Sequence, residues 1–393
     1  MARKMACIRQ ITDIKPIPDA DRIETAYVGG WPVVVGKDEF KINQKVVYFE
    51  PDSMLPLSNP LFAPLATRGK NRMNDKDELC VVLRTVKLRK QISQGLILKL
   101  SDFNINEDID VDTDVTELTG VQKYDPPEIP NGPKNMRVWP SGLITKTDED
   151  RIQNKINMLR WFADTENSER IASMFKPSEK LDGTSTTFFK MKTNDVENHP
   201  DGWRYGVCSR NNEVLRSANA PDDAIHDGMP VRIPDASENL YWLMFDKYDM
   251  KTRLNELHAK HPDAIVIAIQ GETTGPSVNG NRLNRKVLEF HAFNVLIDGH
   301  RINPTDEPAV SDIVVPQRPE FTLDFHYGMN PQEAMEAIID RIDGLHSSID
   351  KNRLAEGIVY RLDVNSDEQL PDDFNPEWKH WKVISNKYLL KIK

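Results

Sequence analysis

Residues 124–133 read Tyr-Asp-Pro-Pro-Glu-Ile-Pro-Asn-Gly-Pro. Four prolines in ten positions cannot continue a helix or a central strand, because each lacks an amide hydrogen and fixes its own φ. The stretch predicts a break in the 393-residue chain, with a shorter part before it and a longer part after it. Both parts are long enough to bury a core of their own. The expected division is 1–120, a linker over 121–134, and 135–393.

Upstream of the break the texture is short β-rich runs separated by turn residues, over 27–30, 32–35, 45–49, 79–86 and 95–100. Five or six strands with few helices suggest a small barrel. The acidic run 107–117 that follows reads as a solvated loop. Downstream the pattern is mixed. Ile152, Ile156, Leu159, Trp161 and Phe162 are spaced to give an apolar helical face over 148–163. A second helix is expected over 330–346, and strands over 186–191, 203–208, 264–270, 287–297 and 357–362. The fold class read from this is α+β, a β-barrel followed by a domain built on antiparallel sheets.

The net charge of −10 argues against wholesale coating of nucleic acid, though a basic groove can still occur locally. Three well-separated cysteines, Cys7, Cys80 and Cys208, suit neither a disulfide framework nor a Cys-x-x-Cys zinc site. With no apolar signal core and no membrane-length apolar run, the expectation is a soluble cytoplasmic protein without a membrane partner. There is no Gly-x-x-x-x-Gly-Lys loop and no dinucleotide glycine fingerprint. His258-x-x-His261 with Asp263 lacks an evident third ligand, so a metal site is not expected there.

One tetrapeptide points to chemistry. Lys180-Leu181-Asp182-Gly183 places an amine on a turn at the entrance of the expected strand 186–191. Such a lysine becomes a nucleophile only where its pKa is depressed by desolvation or nearby positive charge. Others follow in order. Arg210 stands at a strand end, suited to a ribose or phosphate. Glu272 closes an apolar strand, Phe293 offers a ring to stack on a purine, Glu356 opens the strand 357–362, and Lys379, Lys382 and Lys387 form a basic cluster. Each alone reads as an ordinary surface or core residue. In this order and spacing they resemble the six signature motifs of the covalent nucleotidyltransferase superfamily of DNA ligases, RNA ligases and mRNA capping enzymes.

The flanks narrow the resemblance. Eleven residues follow Lys382, too few for the OB domain that follows the last motif in DNA ligases and capping enzymes, whereas a barrel precedes Lys180. The runs 11–17, 20–24, 52–56 and 88–96 strengthen a resemblance to the ATP-dependent RNA ligases with an N-terminal OB domain. That resemblance covers nearly the whole chain. It departs in the last motif, where Lys382 is followed by Val383 and Ile384, so that Lys379 or Lys387 is the second lysine.

The resemblance implies an OB-like barrel and an ATP-grasp-like antiparallel α+β adenylation domain. Its implied reaction joins RNA 3′-hydroxyl and 5′-phosphate ends, as in a nicked duplex, through lysyl-AMP and an adenylylated 5′-end. Lys180 is then the nucleophile, with Asp182 and Lys382 as further catalytic residues. Glu179, Lys180, Arg210, Glu272, Phe293, Glu356, Lys382 and Lys379 form the implied ATP site. Asp182, Glu272 and Glu356 would hold Mg²⁺ or Mn²⁺, directly or through bound water, and a monomer suffices. Arg84, Lys87, Arg89 and Lys90 are the densest basic run of the barrel and the expected nucleic-acid contact, with Arg68, Lys70 and Arg72 as a second loop. The competing readings are a DNA ligase, a GTP-using capping enzyme, and a nucleic-acid-binding protein with a degenerate site.

Overall fold

The computed structural model describes residues 3–67, 71–124, 136–140, 142–216, 239–363 and 370–391. Arg68, Lys70 and most of the Pro-rich stretch lie outside them.

The N-terminal part is organised by one long strand, Ala6–Pro16, which carries two partners. Its first half pairs with Lys45–Phe49 and its second half with Ile23–Val28, and a register shift between Ile11 and Asp13 lets it bend from one to the other. The sheet runs Leu96–Lys99, Lys45–Phe49, Ala6–Pro16, Ile23–Val28, Trp31–Gly36. It closes on itself because Gln94 N donates to Pro32 O at 2.8 Å and Val34 N to Ser93 Oγ at 3.0 Å. Trp31, Tyr48, Val28, Val46 and Ile97 fill the interior. A second sheet of Gln122–Lys123, Ser53–Pro56, Leu79–Val82 and Asn71–Met73 packs through Leu55 and Val81 onto Phe49 and Phe62. The expected boundary at residue 120 therefore falls a few residues early. Gln122 and Lys123 pair with Met54 and Ser53, and Tyr124 N donates to Asp52 O.

The expected strand 79–86 is interrupted after Val82. Val86–Leu88 instead forms a hairpin with Gln91–Ser93, and its turn residues Arg89 and Lys90 both have positive φ, 47° and 68°. A two-residue hairpin turn requires that backbone to match the strand twist.

The C-terminal part is two sheets with helices outside them. The larger has the order Met136–Val138, Asn212–Val214, Trp203–Cys208, Thr184–Lys192, Val266–Thr274, Glu289–Ile297, His300–Ile302. Leu240–Lys247 and Met250–Lys260 cover one face of it through Tyr241, Trp242, Phe245, Leu254 and Leu257. The smaller sheet has the order Asp150–Arg151, His380–Ile384, Gly357–Leu362, Phe175–Lys180. Ile156–Asp164 and Pro331–Ile342 pack on its outer face around Phe162, Tyr360 and Trp381. Strand pairing in both sheets is antiparallel except between Asp150–Arg151 and His380–Ile384. The inner faces meet across Leu181, Leu283, Phe293 and Val315.

Two expected helices are shorter than their patterns. The segment 148–163 begins as the strand Asp150–Arg151 and a 3₁₀ turn over Ile152–Asn154, and the α-helix starts only at Ile156. Pairing with Trp381 and Lys382 and the pull of Arg361 on Glu149, 2.7 Å, override the helical spacing. The helix expected over 330–346 ends at Ile342, where Asp343 leaves the helical conformation with ψ 119°. Phe175–Lys180 is a strand that its polar sequence and Pro177 hide, and Pro177 is tolerated because the strand lies at a sheet edge.

The barrel is fixed to the larger part at Asn154. Its Oδ1 accepts from Trp31 Nε1 at 2.8 Å and its Nδ2 donates to Glu50 Oε1 at 2.6 Å. Arg3 in turn pairs with buried Glu50 at 2.7 Å. A second tie joins Gln94 of the barrel to Asn386 at 3.1 Å, at the start of the last helix, Asn386–Lys391.

Candidate active site

Lys180 is the last residue of Phe175–Lys180, and Leu181, Asp182 and Gly183 carry the chain across to Thr184–Lys192 in the facing sheet. The turn is as tight as it is because of Gly183. A Cβ there would collide with the carbonyl oxygen of Thr273, whereas the glycine amide reaches Glu272 Oε1 at 3.0 Å. The crossing puts the lysine at the floor of a cleft between the two sheets. Glu179, Lys180, Arg210, Glu272, Phe293 and Lys382, six of the residues expected in the site, line it together with Asp148, Glu149, Val315, Val359 and Arg361.

Lys180 Nζ lies 2.8 Å from Glu356 Oε2. Burial alone would lower the pKa of this amine, but Glu356, Glu272 and Asp182 outweigh it, and the pKa is raised above the ordinary lysine value. Glu272 goes the other way for its type. Burial, helped by the like charges of Glu356 and Asp182, lifts its carboxyl to about 8 in spite of Lys180. Two strands away in the same sheet stands Lys382, whose pKa is lowered to about 8 by burial, with Lys180 and Arg3 adding to the effect and Asp148 opposing it. Asp148 lies 3.9 Å from both Lys382 and Arg210 and also pairs with Lys123. Burial would raise its carboxyl, but Lys382 and Lys123 hold it down at about 2.

The apolar side of the cleft is built from Phe293, Val315, Leu181 and Val359. Arg361 lies over the Phe293 ring, 5.0 Å from its centroid, and is anchored by Glu149 at 2.7 Å and Ser178 at 3.2 Å. Glu179 turns its side chain away from the cleft's centre. Its carboxylate takes Arg318 at 2.9 Å, Ser348 N at 2.8 Å, Ser348 Oγ at 2.6 Å and Ser347 Oγ, while its amide donates to Pro316 O.

Other expected site residues are placed elsewhere. The Asp182 carboxylate faces away from the cleft lining and is held by Arg282, by the Tyr388 hydroxyl and by Asn279 Nδ2 at 3.2 Å. Neither lysine expected to accompany Lys382 lines the cleft. Lys379 faces a neighbouring cavity with Arg301 and His380, and Lys387 is exposed, 3.9 Å from Asp343. In the barrel, Lys87, Arg89 and Lys90 are exposed on the hairpin, whereas Arg84 leans over Tyr124 at 5.9 Å. His258 pairs with Lys190 at 2.9 Å and packs on Trp203, and among the described residues no group of three His, Cys, Asp or Glu side chains could hold a metal by itself.

A hydrated Mg²⁺ or Mn²⁺ takes one or two carboxylates and completes its shell with phosphate oxygens and water. Glu356, 2.8 Å from Lys180, and Glu272, in the cleft lining, fit that donor set. Asp182 does not, because its oxygens are occupied by Arg282, Tyr388 and Asn279.

Sequence reasoning missed Asp148, Glu149, Arg361 and the Arg282–Asp182–Tyr388 group. The signal for the first two was the run Asp148-Glu149-Asp150-Arg151, which reads equally well as the first turn of a helix. Arg361 and Tyr388 lay inside segments noted for other residues.

The chain can be compared with known proteins on this geometry. The RNA ligase family matches residues 177–375, and an OB-fold domain matches residues 5–100. No curated protein matches by sequence. Among solved structures, an apo variant of the Naegleria gruberi RNA ligase superposes with a TM-score of 0.72 at 27% identity, covering 98% of this chain and 97% of that one. A variant of that ligase with ATP and Mn gives 0.71 at 28% identity, over 98% of each chain. The same ligase with pyrophosphate gives 0.71 at 27%, over 99% of this chain and 98% of that one.

Proposed function

Since the chain belongs to the RNA ligase family, with an N-terminal OB-fold domain ahead of a mixed α+β ligase domain, we propose that it seals RNA through an AMP carried on Lys180. The Lys180 ammonium gives a proton to Glu356, 2.8 Å away, and its Nζ attacks the α-phosphorus of ATP; the P–N bond forms as the bond to the β-phosphate oxygen breaks and pyrophosphate leaves. The AMP then passes to the 5′-phosphate of an RNA end. The 3′-hydroxyl of the second end displaces AMP and the phosphodiester is closed. Each step is an in-line phosphoryl transfer, in which positioning and charge neutralisation supply most of the rate.

The residues divide this work. Phe293 covers one face of the adenine, with Val359, Val315 and Leu181 completing an apolar slot. The Glu179 side chain is fully engaged by Arg318, Ser347 and Ser348, and this leaves the backbone at the strand end to read the purine edge. Arg210 serves the sugar and phosphates. Lys382, as a cation, neutralises the α-phosphate. A divalent ion at Glu272 and Glu356 supplies positive charge against the phosphates. Glu356 orients the Lys180 amine at 2.8 Å. Asp182 acts as an anchor for the turn. A nicked duplex read by a monomer fits the barrel beside the cleft, with Lys87, Arg89 and Lys90 on their hairpin contacting the strand that bears the 3′-hydroxyl. Neutralising these three with Arg84 should weaken nick binding and leave lysyl-AMP formation intact.

The observation that carries this reading is one lysine at the floor of a cleft, paired with Glu356, near Glu272, and accompanied by a second lysine from the same sheet. Incubation with α-labelled ATP or GTP and a divalent ion tests it. A protein band labelled by ATP, absent with GTP and lost in Lys180→Ala, is expected. No band with either nucleotide would favour a nucleic-acid-binding protein with a degenerate site.

A further inference from the structure

The last helix, Asn386–Lys391, joins the barrel to the turn that carries Lys180. Asn386 Oδ1 accepts from Gln94 Nε2 of the barrel at 3.1 Å. Two residues on, the Tyr388 hydroxyl donates to the carboxylate of Asp182, itself two residues after Lys180. Both ends of this path are fixed. Gln94 is 2% exposed, its amide donates to Pro32 O at 2.8 Å, its carbonyl accepts from the Tyr48 hydroxyl at 3.1 Å, and its Nε2 also reaches Thr85 Oγ1 at 3.3 Å. The helix start is held by Ser385, whose amide donates to Glu356 O at 2.9 Å and whose Oγ accepts from Gly344 N and Tyr388 N at 3.0 and 3.2 Å. The helix is therefore tied to Glu356 through backbone and to Asp182 through a side chain.

Gln94 is also the foot of the basic hairpin. Its neighbour Ser93 pairs with Val86, and at about 3.3 Å per residue the turn of Arg89 and Lys90 lies roughly 10–13 Å away. The RNA contact proposed for Lys87, Arg89 and Lys90 thus stands one hydrogen bond from the helix that braces the nucleophile's turn. A hydrogen bond between two amides is directional, so it fixes a distance where an apolar contact would slide. Formation of lysyl-AMP does not draw on that distance, because the residues lining the cleft belong to the larger part. Closing the phosphodiester does. There the 3′ oxygen bonds to the 5′-phosphorus as the bond from that phosphorus to AMP breaks, AMP leaves with the electron pair, and the hydroxyl proton passes to water. A misplacement of about 1 Å in such a step costs up to about 10²-fold.

We propose that Asn386 is a positioning residue which, through Gln94 and Tyr388, registers the RNA-bearing hairpin against the Lys180 turn, so that the 3′-hydroxyl strand on the barrel meets the adenylylated 5′-end. The inference rests on the ligase reading above. Its test is Asn386→Ala, assayed for lysyl-AMP formation from labelled ATP and for steady-state sealing of a nicked RNA duplex that already carries AMP on its 5′-end. The expected result is lysyl-AMP formation and a nick KM within about two-fold of wild type, with the sealing kcat lowered about ten-fold. Gln94→Ala should give the same pattern. The exchange Gln94→Asn/Asn386→Gln, which keeps the combined length of the two side chains, should recover kcat to within about three-fold. An unchanged kcat would overturn the proposal, and so would a raised nick KM at unchanged kcat, which would make the contact part of RNA binding. A parallel loss of lysyl-AMP formation, or no recovery in the exchange, would equally overturn it, by making the loss one of local packing. Failure of the wild-type protein to form lysyl-AMP would overturn the ligase reading itself, and this inference with it.

Discussion

Two lysines line one cleft from strands of the same sheet, and their surroundings drive them in opposite directions. Lys180 stands among Glu356, Glu272 and Asp182 and is held protonated against the effect of burial, whereas burial, aided by Lys180 and Arg3 and opposed by Asp148, brings Lys382 down to about 8. Without ligand the weaker base is thus the lysine proposed to grip the phosphate, and the proposed nucleophile is disarmed. The difference teaches that the carboxylate wall is a holding device. Glu356 stores the Lys180 amine as an ion pair at 2.8 Å until positive charge brought in with ATP competes for it. Lys382 is a weaker cation that a bound phosphate would strengthen, since an anion beside a lysine raises its pKa.

Removing one wall should break the contrast most severely. Glu356→Ala deletes the partner that orients Lys180 at 2.8 Å and should lower the rate of lysyl-AMP formation by on the order of 10²-fold or more, read in single-turnover assays with labelled ATP. A loss under about three-fold would show that the carboxylate does not position the amine. Lys382, for its part, is cationic below its pKa of about 8 and loses its charge as the pH rises through that value. The KM for ATP should accordingly rise between pH 7 and 9 in the wild-type protein and stay flat in Lys382→Arg, whose guanidinium keeps its proton. The same alkaline rise in both proteins would assign it to another group.

Smaller effects are expected further from the pair. Tyr388→Phe removes one of the groups holding Asp182, and loosening the turn after Lys180 should cost about ten-fold in sealing, the equivalent of about 1.4 kcal/mol. Unchanged sealing would make that contact incidental. Smallest for catalysis should be Asn154→Ala, which strands Trp31 Nε1 and takes the partner from Glu50 Oε1 at the barrel junction, leaving Glu50 Oε2 on Arg3. It should lower stability to urea by about 1–3 kcal/mol with little change in lysyl-AMP formation. Equal loss of both would mean that the barrel's seating shapes the nucleotide cleft.

What was legible in the sequence depended on whether a residue's role was local. Lys180, Glu272 and Glu356 stand at or near a strand end or turn, where a polar residue beside an apolar run is conspicuous, whereas Phe293 and Lys382 are mid-strand and were legible from the order of the motifs. Glu149 and Arg361 were not legible as a pair, because 212 residues separate them and only the sheet order brings them together. Asp182 was read as a metal ligand from its place in the tetrapeptide. The partners that draw it away, Arg282 and Tyr388, come from a loop about 100 residues later and from the last helix. The barrel's closure was hidden for a related reason. It depends on Ser93 and Gln94 reaching Pro32 and Val34, contacts that leave no periodic trace.

The disarmed nucleophile can be observed directly. With ¹³Cε-labelled lysine, the Lys180 resonance assigned by its absence in Lys180→Arg can be titrated by NMR in the nucleotide-free protein. The account predicts a midpoint above the ordinary 10.5, falling in a Glu272→Gln/Glu356→Gln variant as burial is left without its opposing charges. A midpoint at or below 8 in the unaltered protein would contradict it, because Lys180 would then be a free base before ATP arrives.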